Sequence, residues 1–211
     1  KDVRSFGLEV LALREALAAT ETPWAQKVMA ELMVPEEPLS AIDQIITPHG
    51  EIRSDASEKL YRLHNEKEKL AREVQQTLDR LVNDHQIENF LQDRYVTTRE
   101  GRWVLPVKSG MQHYIPGVIH GSSQTKQTVF MEPEKIIPVN NRLRQIEVEI
   151  EDEIEKLLTD LSHYLHDLSS NFERSRDQLE HCDTRFSQAQ FSGLIKAAAC
   201  EFVDGGFELH D

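Results

Sequence analysis

The chain has 211 residues, of which 39% are hydrophobic and 29% are charged, and its formal net charge at pH 7 is −13. This composition predicts a folded chain with a real core and much solvent-facing helix, and no apolar run is long enough to span a bilayer. The two cysteines, Cys182 and Cys200, are too few for a disulfide framework and suggest a cytoplasmic protein.

A first long helix is predicted from about Asp55 to Leu91, where Asp55 and Glu58 have the spacing of a capping box. Apolar residues recur there at steps of mostly three and four, at Leu60, Leu63, Leu70, Val74, Leu78 and Leu81. A second helix is predicted after Pro138, with Asn141 as its cap. Its stripe is Leu143, Ile146, Ile150, Ile154, Leu157, Leu161, Leu165, Leu168 and Phe172. At roughly 35 to 40 residues each, the two helices are expected to lie antiparallel and join their stripes.

The segment between the helices, residues 93–140, predicts a small antiparallel sheet of about four strands. The stretches "RYVTTRE" and "RWVLPVK" are rich in β-branched and aromatic residues and are expected to form a hairpin at Glu100–Gly101. The stretches "GVIHGSS" and "QTVFMEP" predict a second hairpin. We expect Trp103, Leu105 and Val107 to share one face of the sheet. The predicted fold class is therefore mainly α with a small β insert.

Charge is distributed unevenly, with net values of −6 for residues 1–92, +2 for residues 93–140 and −9 for residues 141–211. If the strands follow one another as an up-and-down meander, Arg99, Arg102 and Lys126 cluster at the far end of the sheet, with Arg94 and Lys108 nearer its base. Such a cluster would bind phosphate groups, although chance placement of surface charge remains an alternative. In the loop, His113 and Tyr114 could stack or contact a phosphate, or could simply be surface residues.

The stretches "GRWVLPVK", "GVIHGSSQTKQTVFMEP" and "VNNRL" resemble the clamp and neighbouring lever of the MutS ATPases. The similarity is to the second bacterial branch, the MutS-two proteins, which are associated with recombination control. It covers residues 42–211 and is most specific over residues 99–143. The final "GGFELHD" resembles the strand that leads into the family's ATPase domain, which suggests that the chain stops at that boundary. One departure is Lys126, which stands where the family usually has Gly.

The resemblance implies a helical core, two long antiparallel lever helices and a β-rich clamp that touches duplex DNA. It divides the chain into residues 1–92 (helical core and first lever helix), 93–140 (clamp insert) and 141–211 (second lever helix and return to the core). It also implies a homodimer that closes around double-stranded or branched DNA, and ATP and Mg²⁺ bound in another domain of the full-length protein. A separate C-terminal nuclease domain is associated with some members.

No catalytic motif is evident, since the sequence contains neither G-x-x-x-x-G-K-[ST] nor G-x-G-x-x-G. His163 and His166 have a spacing that can bind a metal, but no third ligand accompanies them. We therefore expect no catalytic residue, metal or cofactor in this segment. The cluster His181–Cys182–Asp183 is interpreted as an ordinary helix end, because sequence neighbours do not converge on a helix.

Three hypotheses follow from the sequence. In the first, the chain is the non-catalytic, DNA-contacting part of a MutS-like ATPase. In the second, it is a structural arm that uses the same cations to grip ribosomal RNA or a protein, for example on collided ribosomes. In the third, it is an enzyme whose site is not visible in the sequence.

Overall fold

The fold is mainly helical with one small antiparallel sheet, as the computed structural model of the chain shows for residues 2–197. The predicted strand "GGFELHD" and Cys200 lie outside these described residues. Within them there are six α-helices: α1 Asp2–Ala18, α2 Pro23–Glu31, α3 Glu36–Ile45, α4 Glu58–Val82, α5 Ile137–Asp167 and α6 Ser169–Leu194. The four strands are β1 Thr97–Arg99, β2 Arg102–Lys108, β3 Gly117–Ser122 and β4 Thr128–Pro133. The predicted fold class is thus confirmed.

The described residues divide into two compact units, residues 2–42 with 162–197, and residues 43–161. In the first unit, apolar residues of α1 and α2 pack together with Phe172 and Leu179 of α6. The Arg14 guanidinium donates to the carbonyl oxygens of Leu32 (3.0 Å) and Met33 (3.4 Å), and so satisfies acceptors just beyond the end of α2. No helix within residues 2–197 is both long and apolar enough to cross a membrane.

In the second unit, α4 pairs with the first part of α5 in the antiparallel direction that the two apolar stripes predicted. Leu60 and Leu63 pack against Ile146 and Ile150. Three ion pairs flank this seam and fix its register: Arg142–Glu66 at 2.8 Å, Lys67–Glu147 at 3.0 Å and Lys59–Glu153 at 3.0 Å. Lys59, near the start of α4, pairs with Glu153, whereas Glu66 and Lys67 further along α4 pair with residues nearer the start of α5, which is the signature of antiparallel helices.

The predicted helix ends and lengths are wrong in three respects. First, α4 is capped by Ser57, whose Oγ accepts from the Leu60 amide at 3.0 Å, whereas Asp55 pairs with Arg53. Second, α5 begins at Ile137, so Asn141 lies inside the helix and does not cap it. Third, α4 has 25 residues and α5 has 31, and the predicted continuous second helix breaks at Leu168 before α6. The apolar periodicity did not predict this break, because the apolar spacing continues across Leu168.

The sheet has the strand order β1-β2-β4-β3, with every neighbouring pair antiparallel. Both β2 and β3 are antiparallel to β4, so they run in the same direction and residues 109–116 must return along the sheet. The predicted meander, in which β2 and β3 run in opposite directions, is therefore wrong. Ile115, near the end of this return, is buried in the core and holds the connection against the sheet.

One face of the sheet packs on the second half of α4. Leu105, Val107, Val129 and Met131 form a continuous core with Val74, Leu78 and Val82. This confirms the prediction that Leu105 and Val107 share the inward face with Trp103, which packs at its edge. The hairpin between β1 and β2 also turns where predicted, with Glu100 and Gly101 both at positive φ (51° and 75°).

Candidate nucleic-acid interface

The strand register separates the predicted cation cluster into two groups. Arg99 pairs with Arg102 at one end of the sheet. Lys108, at the other end of β2, pairs with Thr128, the first residue of β4, and Lys126 lies two residues before Thr128. Arg102 and Lys108 are six residue steps apart along the strand, which is about 20 Å. The expectation that Arg99, Arg102 and Lys126 lie together is wrong, because it assumed the meander.

Arg102 is occupied by contacts with β4 and α5. Its guanidinium donates to the Glu132 carboxylate at 2.9 and 3.1 Å and to the Asn141 amide oxygen at 2.8 Å. Glu132 is 1% exposed and also receives the Asn140 amide at 2.7 Å and lies 2.5 Å from His120 Nε2. A buried carboxylate needs hydrogen bonds and an opposite charge to offset its lost hydration. The charge of Arg102 therefore stabilises the fold and is largely unavailable to an external phosphate.

Asn140 joins the first turn of α5 to β2. Its side chain is fully buried, accepts from the Trp103 amide at 3.2 Å and donates to the Trp103 carbonyl oxygen at 3.1 Å. The pairing of β2 with β4 begins only at Leu105, so this side chain satisfies main-chain groups of β2 that β4 does not reach.

Arg99 and Arg94, the two other arginines predicted to bind nucleic acid, also make contacts within the protein. The Arg99 guanidinium lies 4.1 Å from the centroid of the Phe130 ring, in a cation–π contact. Arg94 forms an ion pair with Glu88. Each arrangement leaves less free positive charge than the sequence suggested.

The opposite end of the sheet carries a group that we call the Lys108 patch, composed of Phe90, Lys108, His113, Tyr114 and Lys126. The Ser109 amide donates to the Gln127 carbonyl oxygen at 2.9 Å, which brings the two lysine-bearing turns side by side. Both lysines are exposed, and within residues 2–197 neither forms an ion pair with a carboxylate. The patch is therefore an accessible source of positive charge on an acidic chain.

Lys108 also organises the patch. Its ammonium group donates to the carbonyl oxygen of Asn89 at 2.9 Å, which fixes the segment that carries Phe90. The Phe90 and Tyr114 rings then stack almost parallel, with centroids 4.5 Å apart. Tyr114, His113, Lys108 and Lys126 were candidates from the sequence, whereas Phe90 was not, because its contact with Tyr114 joins residues far apart in sequence.

Lys126 occupies a left-handed position, with φ of 60°, in the turn that joins β3 to β4. Its amide donates to the Ser123 carbonyl oxygen at 2.9 Å, and the Ser123 amide donates to Thr128 across the turn. This conformation explains why Gly suits the same position, since a Cβ there costs on the order of 1 kcal/mol. The lysine keeps the turn closed and adds a cation to the Lys108 patch.

The histidine and cysteine clusters considered in the sequence have ordinary packing contacts within the described residues. Throughout residues 2–197 there is no group of three or more His, Cys, Asp or Glu side chains arranged to hold a metal ion. His181 packs beside Trp24, with ring centroids 6.3 Å apart, and Cys182 packs against the core of the first unit. Burial raises the pKa of the Cys182 thiol, which disfavours the thiolate needed of a nucleophile.

The fold and the Lys108 patch together define a mainly helical protein whose small antiparallel sheet presents cations and aromatic rings at one end. Comparison with known proteins relates it to proteins named Endonuclease MutS2. The one from Thermotoga neapolitana is 31% identical over 180 residues, which is 85% of this chain and 24% of the relative. The one from Aquifex aeolicus is 32% identical over 157 residues, covering 74% and 21% respectively.

A third relative of the same name, from Caldanaerobacter subterraneus subsp. tengcongensis, is 29% identical over 208 residues, which is 98% of this chain and 26% of the relative. No family model matches the chain. These similarities support a MutS2-like relationship, and the chain spans about a quarter of the length of the relatives it matches.

Proposed function

We propose that the chain is the DNA-contacting core, lever and clamp segment of a MutS-like DNA-binding ATPase, and that it is non-catalytic by itself. The proposal rests on the Lys108 patch, where two exposed cations that have no carboxylate partner among residues 2–197 lie at one end of a sheet on an otherwise acidic chain. DNA phosphates are the natural ligands of such a surface, and the acidic helices confine the contact to it. The names of the relatives agree with a role on DNA.

The full-length protein in this proposal is a cytoplasmic homodimer that binds ATP and Mg²⁺ in a further domain and holds double-stranded or branched DNA. Nuclease activity, which the relatives' names describe, belongs in the proposal to a separate domain. The chain alone is expected to hydrolyse no ATP, because its 211 residues contain no phosphate-binding loop motif. Steady-state phosphate release from highly purified chain checks this, and turnover above the buffer background contradicts it.

Fluorescence anisotropy with a labelled blunt duplex tests the DNA contact. We expect weak binding, with Kd in the nonspecific range of about 10⁻⁴ to 10⁻⁶ M at physiological salt. The variant Lys108→Gln/Lys126→Gly removes both cations of the Lys108 patch. If each neutralises one phosphate, the slope of log K against log salt becomes shallower by about 1.8.

The matched control is Arg99→Gln/Arg144→Gln, which also removes two exposed cations but at the other end of the sheet, where the Gly101 turn approaches Arg144. This control should leave both the affinity and the salt slope near those of the parent chain. Equal losses in the two double variants would show that the contact depends on overall charge, and the assignment to the Lys108 patch would be wrong.

A further inference from the structure

The aromatic residues of the Lys108 patch form a row of rings at the protein surface. Phe90 and Tyr114 lie nearly parallel, with centroids 4.5 Å apart and 8° between their planes. The His113 ring follows, with its centroid 4.0 Å from that of Tyr114 and a tilt of 39°. Tyr114 is 53% exposed and His113 is exposed, so the row runs from a half-buried Phe to a solvent-facing imidazole.

The row is held in place by the main chain on both sides. Lys108 fixes the Asn89 carbonyl next to Phe90, as described above. On the other side, residues 112–114 form a short 3₁₀ turn, in which the Tyr114 amide donates to the Met111 carbonyl oxygen at 3.1 Å. Ile115 immediately follows and is 5% exposed, which anchors the turn in the core. The rings are therefore positioned before any ligand arrives.

Exposed, prearranged rings beside cations match the chemistry of an unpaired nucleobase. Bases stack on aromatic side chains in single-stranded recognition, while neighbouring lysines hold the phosphates that flank the base. A base inside a duplex already stacks on its neighbours and cannot reach the row. We propose that His113 and Tyr114 form a stacking platform for an unpaired base of DNA at a gap or overhang, with Lys108 and Lys126 on the adjoining backbone.

This inference rests on the proposed DNA contact and narrows it to the junction between duplex and single strand. The probe is a duplex with a short 3′ overhang that carries the fluorescent base 2-aminopurine next to the duplex end, and the reference is the blunt duplex. The parent chain should bind the overhang probe more tightly than the blunt duplex and should quench the 2-aminopurine emission as the base stacks.

Variants separate stacking from charge. His113→Ala/Tyr114→Ala should lose about fivefold or more in affinity for the overhang probe, the effect of one base–aromatic stack, and should keep the blunt-duplex affinity. His113→Phe, which retains a ring without an ionisable nitrogen, should keep the preference and the quenching. His163→Ala, an exposed histidine of the first unit, is the control and should change neither.

The outcomes distinguish the stacking platform from the duplex contact. Binding to both probes with equal affinity and no quenching overturns the stacking platform and leaves the duplex contact standing. Quenching and binding of the overhang probe without binding of the blunt duplex supports the platform and overturns the duplex contact. Binding of neither probe overturns both, and unchanged quenching in the double alanine variant overturns the assignment to these two rings.

Discussion

The Ser109 amide donates to the Gln127 carbonyl oxygen at 2.9 Å, so the end of β2 and the start of β4 lie side by side. The bond extends the pairing of β2 with β4, and this pairing decides which cations are neighbours. It brings the turn that carries Lys126 next to Lys108 and leaves Arg102 at the far end of the strand. The candidate interface is thus defined by strand order as much as by residue type.

A disulfide experiment tests this strand order directly. Lys108 and Thr128 are cross-strand partners, and such Cα atoms lie about 4.5 to 5.5 Å apart, within reach of a disulfide. With Cys182 and Cys200 replaced by Ala, the pair Lys108→Cys/Thr128→Cys should oxidise readily. Mass spectrometry of the non-reduced chain checks the bond.

The control pair for this experiment is Lys108→Cys/Val118→Cys, which the meander would bring close together. Val118 pairs with Glu132, four residues along β4 from Thr128, so the structure predicts no bond. Oxidation of the control pair in preference to the first would show that β2 and β3 are direct neighbours.

Glu132 should be the most sensitive polar residue of the sheet. Its replacement by Ala leaves Arg102, His120 and Asn140 without their common partner in a buried site. Removing one member of a buried pair costs about 3 to 5 kcal/mol, and we expect a loss of unfolding free energy of that order. Urea denaturation followed by circular dichroism measures it.

Glu134→Ala provides the comparison, because Glu134 is two residues away but exposed. It should change the free energy of unfolding by no more than about 0.5 kcal/mol. A similar, small effect in both variants would mean that the hydrogen bonds to Glu132 contribute little to the fold.

The left-handed conformation of Lys126 predicts that two substitutions at this position change stability differently. Lys126→Gly relieves the Cβ strain but adds flexibility to the unfolded chain, so stability should stay level or rise by up to about 1 kcal/mol. Lys126→Val places a β-branched residue at φ near 60° and should cost about 1 to 2 kcal/mol. The urea midpoints of the two variants give the comparison, and the reverse ranking would contradict the turn geometry.

Acidification should weaken the α4–α5 seam. Lys67 holds the pKa of Glu147 below its ordinary value of 4.5, and Lys59 with Ser57 does the same for Glu153. The Arg142 guanidinium likewise lowers the pKa of Glu66. A carboxyl whose pKa is lower in the folded state stabilises the fold above its unfolded pKa, and that contribution is lost as the pH falls through the folded value.

The thermal midpoint should therefore be level near neutral pH and fall as the pH drops below about 4.5. Glu153→Gln removes one of the titrating groups and should make this fall shallower, although its midpoint at pH 7 should be lower than that of the parent chain. A midpoint that rises on acidification would show that these ion pairs do not stabilise the folded state.

Local chemistry allowed much of the fold to be predicted. The apolar stripes predicted that the two long helices pair antiparallel, as Leu60 and Leu63 do with Ile146 and Ile150. Gly101 marked the β1–β2 turn. Both signals are patterns of residues close together in the sequence. The strand order could not be predicted in this way. It depends on how residues 109–116 cross the sheet and bury Ile115, which involves contacts between residues far apart in sequence. The stack of Phe90 on Tyr114 was hidden for the same reason.

The double hydrogen bond between Asn140 and Trp103 has a mechanical consequence. The Asn140 side-chain amide hydrogen-bonds to both the N–H and the C=O of Trp103. As a result, β2 cannot shift relative to the first turn of α5 without breaking both bonds. Lys108 stands at the other terminus of that same strand. A push or twist delivered along the helix would therefore be conveyed, through Asn140 and the neighbouring Arg102–Asn141 hydrogen bond, to the lysine proposed to meet the DNA.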